Sequence, residues 1–169
     1  MKKFDHMIPL LLSQQAELDG AAMYNKLAAL TENGDAQRVF REIAADEAAH
    51  ALLIQSITGD TKNATDFFTA PLTVVYNAVG LDVTYLIIAI GEAIGAVYYK
   101  FPTRPYPELH EISHTELTHA KRIAGLLLAD ILANVDFSQI ISTLLASIDP
   151  SAASGAYGSG EQSTQGNNA

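Results

Sequence analysis

Apolar residues recur at spacings of three and four along most of the chain, and alternation of β-branched with polar residues is scarce, so the pattern predicts an all-α protein. Four long helices follow. The first is expected from about Pro9, a favoured first-turn residue, to about Glu32, where Asn33-Gly34-Asp35 supplies a turn. Asp35 is the expected N-cap of the second, which runs to about Ile57 before Thr58-Gly59-Asp60 stops it. Residues 60–80, interrupted by Pro71 and Gly80, read as a long crossover containing one short helical piece. The third helix is expected over 81–100. Pro102, Pro105 and Pro107 remove donors and force extended backbone, so the fourth helix is expected from near Pro107 to about Ala133.

Beyond it, Phe137–Ile148 has the pattern of a short C-terminal helix, which Asp149-Pro150 ends, and residues 1–150 form one expected domain. From Ser151 the chain is Ser, Gly, Ala, Gln and Asn around a single Tyr157, too polar to offset the entropy of ordering, so 151–169 is expected to be a disordered tail. The run Tyr85-Leu86-Ile87-Ile88-Ala89-Ile90-Gly91 is apolar on every face of a helix. One bundle interior cannot cover all of it, so its outer side is expected to lie under Phe137–Ile148 or a second copy of the chain, and a homodimer is expected. Leu81–Tyr99 has the length of a membrane span, but Asp82 and Glu92 within it make that reading costly.

The chain also repeats itself. Glu17-x-x-Gly20-Ala21-x-x-Tyr24 in the first helix is matched position for position by Glu92-x-x-Gly95-Ala96-x-x-Tyr99 in the third. Glu42, Ile43, Glu47, His50 and Ala51 in the second align with Glu111, Ile112, Glu116, His119 and Ala120 in the fourth. The sequence is therefore two copies of one helical hairpin joined by the crossover. Residues three apart on a helix differ by about 60° in direction, so Glu47 and His50 project to one side, as do Glu116 and His119. Packing the hairpins about a pseudo-twofold axis brings four carboxylates and two imidazoles to one point, where four negative charges balance two divalent ions. Without metal they would be buried like charges. One Glu from each of two helices with Glu-x-x-His from the other two is the pattern of ferritin-like di-metal carboxylate sites, and oxygen-rich ligation with one His per ion suits iron or manganese.

A third Glu-x-x-His, Glu111 with His114, has no counterpart in the first hairpin, because Ala45 aligns with His114. It points well away from Glu116 around the helix and reads as a solvated surface pair. Glu42, likewise turned away from Glu47, is expected to pair with Arg38. Gly20 and Gly95 are read either as permitting close helix packing or as leaving room beside the metals.

Composition narrows the chemistry. The 169 residues carry 10 Lys+Arg against 19 Asp+Glu, a formal net charge of −9, which opposes phosphate-backbone binding, so no nucleic-acid partner is expected. There is no Cys, which removes thiolate zinc sites, iron–sulfur clusters, Cys₄ iron and Cys nucleophiles, and leaves oxygen and nitrogen to hold any metal. Met1-Lys2-Lys3 leads into an apolar run from Ile8 to Leu12 that is too short for a secretory signal, and a cytoplasmic location is expected.

Across about residues 8–134 the sequence resembles the ferritin-like superfamily, and within it the di-iron domain of rubrerythrins. The family's Glu, Glu-x-x-His, Glu, Glu-x-x-His order is met at Glu17, Glu47, His50, Glu92, Glu116 and His119. The resemblance implies a four-helix bundle with two iron ions, or manganese, bridged by Glu47 and Glu116 and capped by Glu17 and Glu92. It also implies reduction of hydrogen peroxide or dioxygen, with Tyr24 and Tyr99 as neighbours donating to ligand carboxylates. Ferritin-like iron oxidation and storage, or a bundle without catalysis, are the alternatives. Two departures stand out. Where rubrerythrins carry a further Glu three residues after the third-helix ligand, this chain has Gly95, which is expected to leave space at the centre. The family's usual Cys₄ domain is missing, which implies a separate rubredoxin-like electron donor.

Overall fold

The computed structural model describes residues 4–100 and 106–134, together with Asp136 and Gln139. Four α-helices make up the fold: α1 (Phe4–Leu30), α2 (Gly34–Thr58), α3 (Thr69–Lys100) and α4 (His110–Asn134), the last preceded by a 3₁₀ turn over Pro107–Leu109. The described residues include no strand. This is the all-α, ferritin-like four-helix bundle that the repeat implies. Residues up to Leu132 form one unit and a second begins at Ala133. Phe101–Pro105, the tail at 151–169, and the helix expected over 137–148 apart from Gln139, lie outside the described residues.

Several boundaries differ from the sequence expectation, each for a local reason. Helix α1 begins at Phe4, five residues before Pro9, which sits inside it. So close to the start of a helix, the donor that Pro lacks removes only one ladder bond. The N-cap of α2 is Asn33, not Asp35: the Asn33 side chain accepts hydrogen bonds from the backbone N–H of Asp35 and of Ala36, at 3.0 and 3.1 Å. Asp35 lies in the first turn instead, where its charge favours the positive end of the helix. At the other end Gly59 adopts φ 71°, and its N–H bonds the Gln55 carbonyl at 2.8 Å, a left-handed stop that a side chain would oppose.

The helical piece foreseen in the crossover starts at Thr69 and runs on into the third helix through a kink at Gly80 (φ 78°, ψ −176°), backbone open essentially to glycine alone. Thr84 Oγ1 donates to the Gly80 carbonyl at 2.7 Å, a side-chain bond back across the first turn after the kink. The remaining crossover is tied across α1. Lys62 Nζ donates to the Leu11 carbonyl and Gln14 Nε2 to the Asp60 carbonyl, each at 2.8 Å, and Thr65 Oγ1 donates to Asp19 Oδ2 at 2.8 Å.

The interior has three layers. Tyr24, Leu27, Phe40, Ile43, Tyr85 and Ile88 belong to one apolar cluster, and Leu10, Ile54, Tyr99, Leu109 and Ile112 to another. Buried alongside them is a polar set: Glu17, Glu47, His50, Glu92, Glu116 and His119. The outward side of α3 is different. Val83, Leu86, Ile87, Ile90, Ile94 and Val97 are exposed, and no described element covers the face that was expected to be buried. By length and composition α3 could cross a membrane. Its inward side, however, carries buried Glu92, Thr84, Tyr85 and Tyr99, which suits a bundle helix with one apolar outer face.

Candidate metal centre

Helix periodicity delivers all six sequence-predicted residues to one place. Their ligand-capable atoms form two overlapping groups, Glu17, Glu47, His50 and Glu116 in one and Glu47, Glu92, Glu116 and His119 in the other. Within each group those atoms lie within 4.8 Å of one another, and Glu47 and Glu116 belong to both.

The geometry follows the pseudo-twofold repeat. His50 Nδ1 lies 3.1 Å from Glu17 Oε2 of its own hairpin and 3.3 Å from Glu116 Oε1 of the other. His119 Nδ1 lies 3.3 Å from Glu92 Oε2 of its own hairpin and 3.1 Å from Glu47 Oε1 of the other. The two imidazole centroids are 6.1 Å apart. Each half is thus one Glu and one His from a hairpin plus the two shared carboxylates, the layout of a binuclear metal site.

Buried polar atoms test whether metal fits. Glu47 Oε1, Glu92 Oε2, Glu116 Oε1 and His119 Nδ1 are buried and make no well-aligned hydrogen bond, although imidazole and carboxylate stand 3.1–3.3 Å apart, and all four converge on the cluster. Leaving one such atom unpaired costs about 1–3 kcal/mol, and four together are costly unless a cation occupies the space between them.

Proton affinities show the same crowding. Burial, then the charge of Glu17, pushes the Glu47 carboxyl well above its ordinary range. Burial also raises Glu116, to about 7, against the hydrogen bond from His50. Burial raises Glu17 too, but hydrogen bonds with His50, Glu47 and Tyr99 outweigh it and hold this carboxyl low. For His50, burial opposes the charge, yet contacts with Glu116 and Glu17 prevail and lift it to about 9. His119 is raised in the same way by Glu92 and Asp46 against its burial.

Both expected tyrosines reach carboxylates of the cluster, and each crosses to the other hairpin. Tyr24 Oη on α1 donates to Glu92 Oε1 on α3, and Tyr99 Oη on α3 donates to Glu17 Oε1 on α1. Burial, then the neighbouring carboxylate, holds both phenols well above their ordinary value, so each keeps the proton it donates.

Two features escaped the sequence reading. Asp46 Oδ2 lies 3.2 Å from His119 Nε2, so the ring nitrogen facing away from the cluster is held by a carboxylate, the usual way of orienting a metal-binding imidazole. The repeat places Thr115 at the equivalent position for His50, and Thr115 Oγ1 donates instead to the Glu111 carbonyl at 3.2 Å. The only signal available was a carboxylate, Asp46, next to Glu47 where the second hairpin has Thr115. The second feature concerns glycine. Glu116 Oε2 occupies the room expected at Gly95, since a Cβ there would lie 2.6 Å from it; the equivalent distance at Gly20 is 3.3 Å to Glu47 Oε2.

Outside the cluster, Glu111 and His114 are exposed, as the repeat mismatch predicted. Glu42 pairs with Arg38 at 3.4 Å and also with Arg122 of α4.

Comparison with known proteins agrees with this layout. Residues 10–127 match the family model described as Rubrerythrin, a stretch that includes all six clustered residues, both tyrosines and Asp46. No curated protein and no solved structure matches the chain.

Proposed function

We propose, from the premise that this chain belongs to the rubrerythrin family, that its centre holds two ions of iron or manganese and reduces a small oxidant, hydrogen peroxide or dioxygen. The observation that carries this reading is the pair of four-residue groups sharing Glu47 and Glu116, with four unsatisfied buried polar atoms between them. Glu17 and His50 would hold one ion, Glu92 and His119 the other, and Glu47 and Glu116 would bridge. Held there by these residues, reduced iron or manganese would supply two electrons to the oxidant. Peroxide reduction then balances as one peroxide, two electrons and two protons giving two waters.

The chain's own residues set up that chemistry. Tyr24 and Tyr99 hold Glu92 and Glu17 in place through hydrogen bonds between buried side chains. Asp46 orients His119. Electrons must be resupplied, and a chain without Cys has no iron–sulfur relay, which supports a separate rubredoxin-like donor. The uncovered apolar face of α3, from Val83 to Val97, supports a homodimer.

The test is metal analysis of the protein purified from its native host, followed by peroxide addition to the reduced form. About two transition-metal ions per chain are expected. One round of oxidation should follow, then a stall until a donor is added. Metal-free protein would end the reading. Sustained peroxide consumption without a donor would indicate a catalase-like cycle instead.

A further inference from the structure

The seam between α1 and α3 holds a cavity of about 700 Å³. Its floor is the centre itself: Glu17, Glu47, Glu92 and Glu116 all line it, while His50 and His119 do not. It therefore opens on the carboxylate side, the side away from the histidines. Its walls are apolar, with Met23 from α1, Leu72 and Val75 from the first part of α3, and Ile88 from the second, and it opens to solvent along Leu12, Ile87 and Ile94. The Gly80 kink brings both parts of α3 to one space, and Gly20 and Gly95 keep side chains out of the passage to Glu47 and Glu116.

Size and polarity decide what such a space is for. Water claims about 30 Å³ in the liquid, and peroxide and dioxygen need little more than that scale. Cavities of roughly 300–1,000 Å³ with apolar walls and a few converging polar groups hold organic ligands. Charge then narrows the class. Among the described residues no basic side chain lines the cavity, and the chain carries a net −9, so in the metal-free protein, whose cavity floor is four carboxylates, an anionic ligand would be desolvated with nothing to pair it. The walls do offer hydrogen bonding, through Ser13 Oγ and Tyr98 Oη, which lie 3.4 Å apart.

We infer that this cavity is a binding site for a neutral, largely apolar organic molecule, an aliphatic chain or aromatic ring with one hydroxyl or carbonyl. Binding itself requires no metal, so it stands or falls apart from the proposed function.

The experiment titrates the full chain, metal-free and metal-loaded, with 1-aminoanthracene, a neutral aromatic whose emission shifts in apolar surroundings, and then displaces it with 1-decanol or decanoate. Saturable binding of about one probe per chain is expected, and from the metal-free chain decanol should displace it at least tenfold more effectively than decanoate. Gly91→Phe fills the cavity from α3, where an added Cβ meets nothing within 4 Å, and Ala16→Phe fills it from α1. Each should weaken probe binding at least tenfold while helicity and metal content stay unchanged. Absence of saturable binding would overturn the inference. So would binding indifferent to both substitutions, which would put the probe on the outer face of α3, equal displacement by decanoate from the metal-free chain, or loss of binding as chains associate, which would mean that a second copy fills the seam. Metal content, measured on the same samples, reports separately on the proposed function.

Discussion

Gly95 and Glu116 share one space: a Cβ on Gly95 would lie 2.6 Å from Glu116 Oε2, closer than a side chain can stand, so the shared carboxylate reaches the centre through the gap that glycine leaves. The repeat mate is looser, with 3.3 Å between the same construction on Gly20 and Glu47 Oε2. Two positions that look identical in sequence therefore constrain their carboxylates unequally.

Gly95→Ala should accordingly fold well, since alanine favours a helix interior by about 1 kcal/mol over glycine, while pushing Glu116 aside. Metal affinity is expected to fall on the order of tenfold to a hundredfold, with a milder loss for Gly20→Ala. Competition with a chelator, run beside thermal melts of the metal-free forms, checks both. Equal effects at the two glycines would contradict the geometry.

Asp46 acts on one half only. Asp46→Asn should weaken the ion beside His119 about tenfold to a hundredfold and leave the ion beside His50 little changed, splitting a two-step binding isotherm further apart. Thr115→Asp, which would give His50 the same kind of partner, should move the two steps the opposite way. An isotherm that shifts as a whole in Asp46→Asn would assign Asp46 to general stability instead.

The metal-free chain should lose stability as pH rises. Glu116 lies at about 7 against an ordinary 4.5, and His50 at about 9 against 6.5, so both bind protons more tightly folded than unfolded. Their contributions are complete below the ordinary values and vanish as pH climbs through about 7 and about 9, and Glu47, also raised, works in the same direction. Glu17, held low, runs the other way: its contribution is present above 4.5 and is lost only in acid. Calorimetry should thus find the Tm of the metal-free protein falling from about pH 6 to pH 9, and that of the metal-loaded protein falling less, because bound cations replace the protons. A metal-free Tm that rises over this range would contradict the shifts.

Much of the centre was legible because the information is local. Glu47 with His50, and Glu116 with His119, share a face through helix geometry alone, and the matched hairpins require those faces to meet. Elements whose cause is also local were read nearly as well, including the stop at Gly59 and the breaker at Gly80. The error at the α2 N-cap was of another kind, since Asn33 and Asp35 are both competent caps and only the path of the chain chooses between them.

Side-chain direction on each helix, the sign and number of the buried charges and the twofold repeat of the ligands were determined by the sequence itself, because each depends on residue type and spacing along one helix. Tertiary structure decided which partner each group meets. Tyr24 bonds Glu92 rather than Glu17 of its own helix, His119 gains Asp46 while the Thr115 hydroxyl turns to its own backbone, and Glu116 fills the gap at Gly95. Those outcomes, like the cavity along the α1–α3 seam, depend on distances between helices, and differences of an ångström in packing are invisible to periodicity because it describes directions around one axis and not the separation of two.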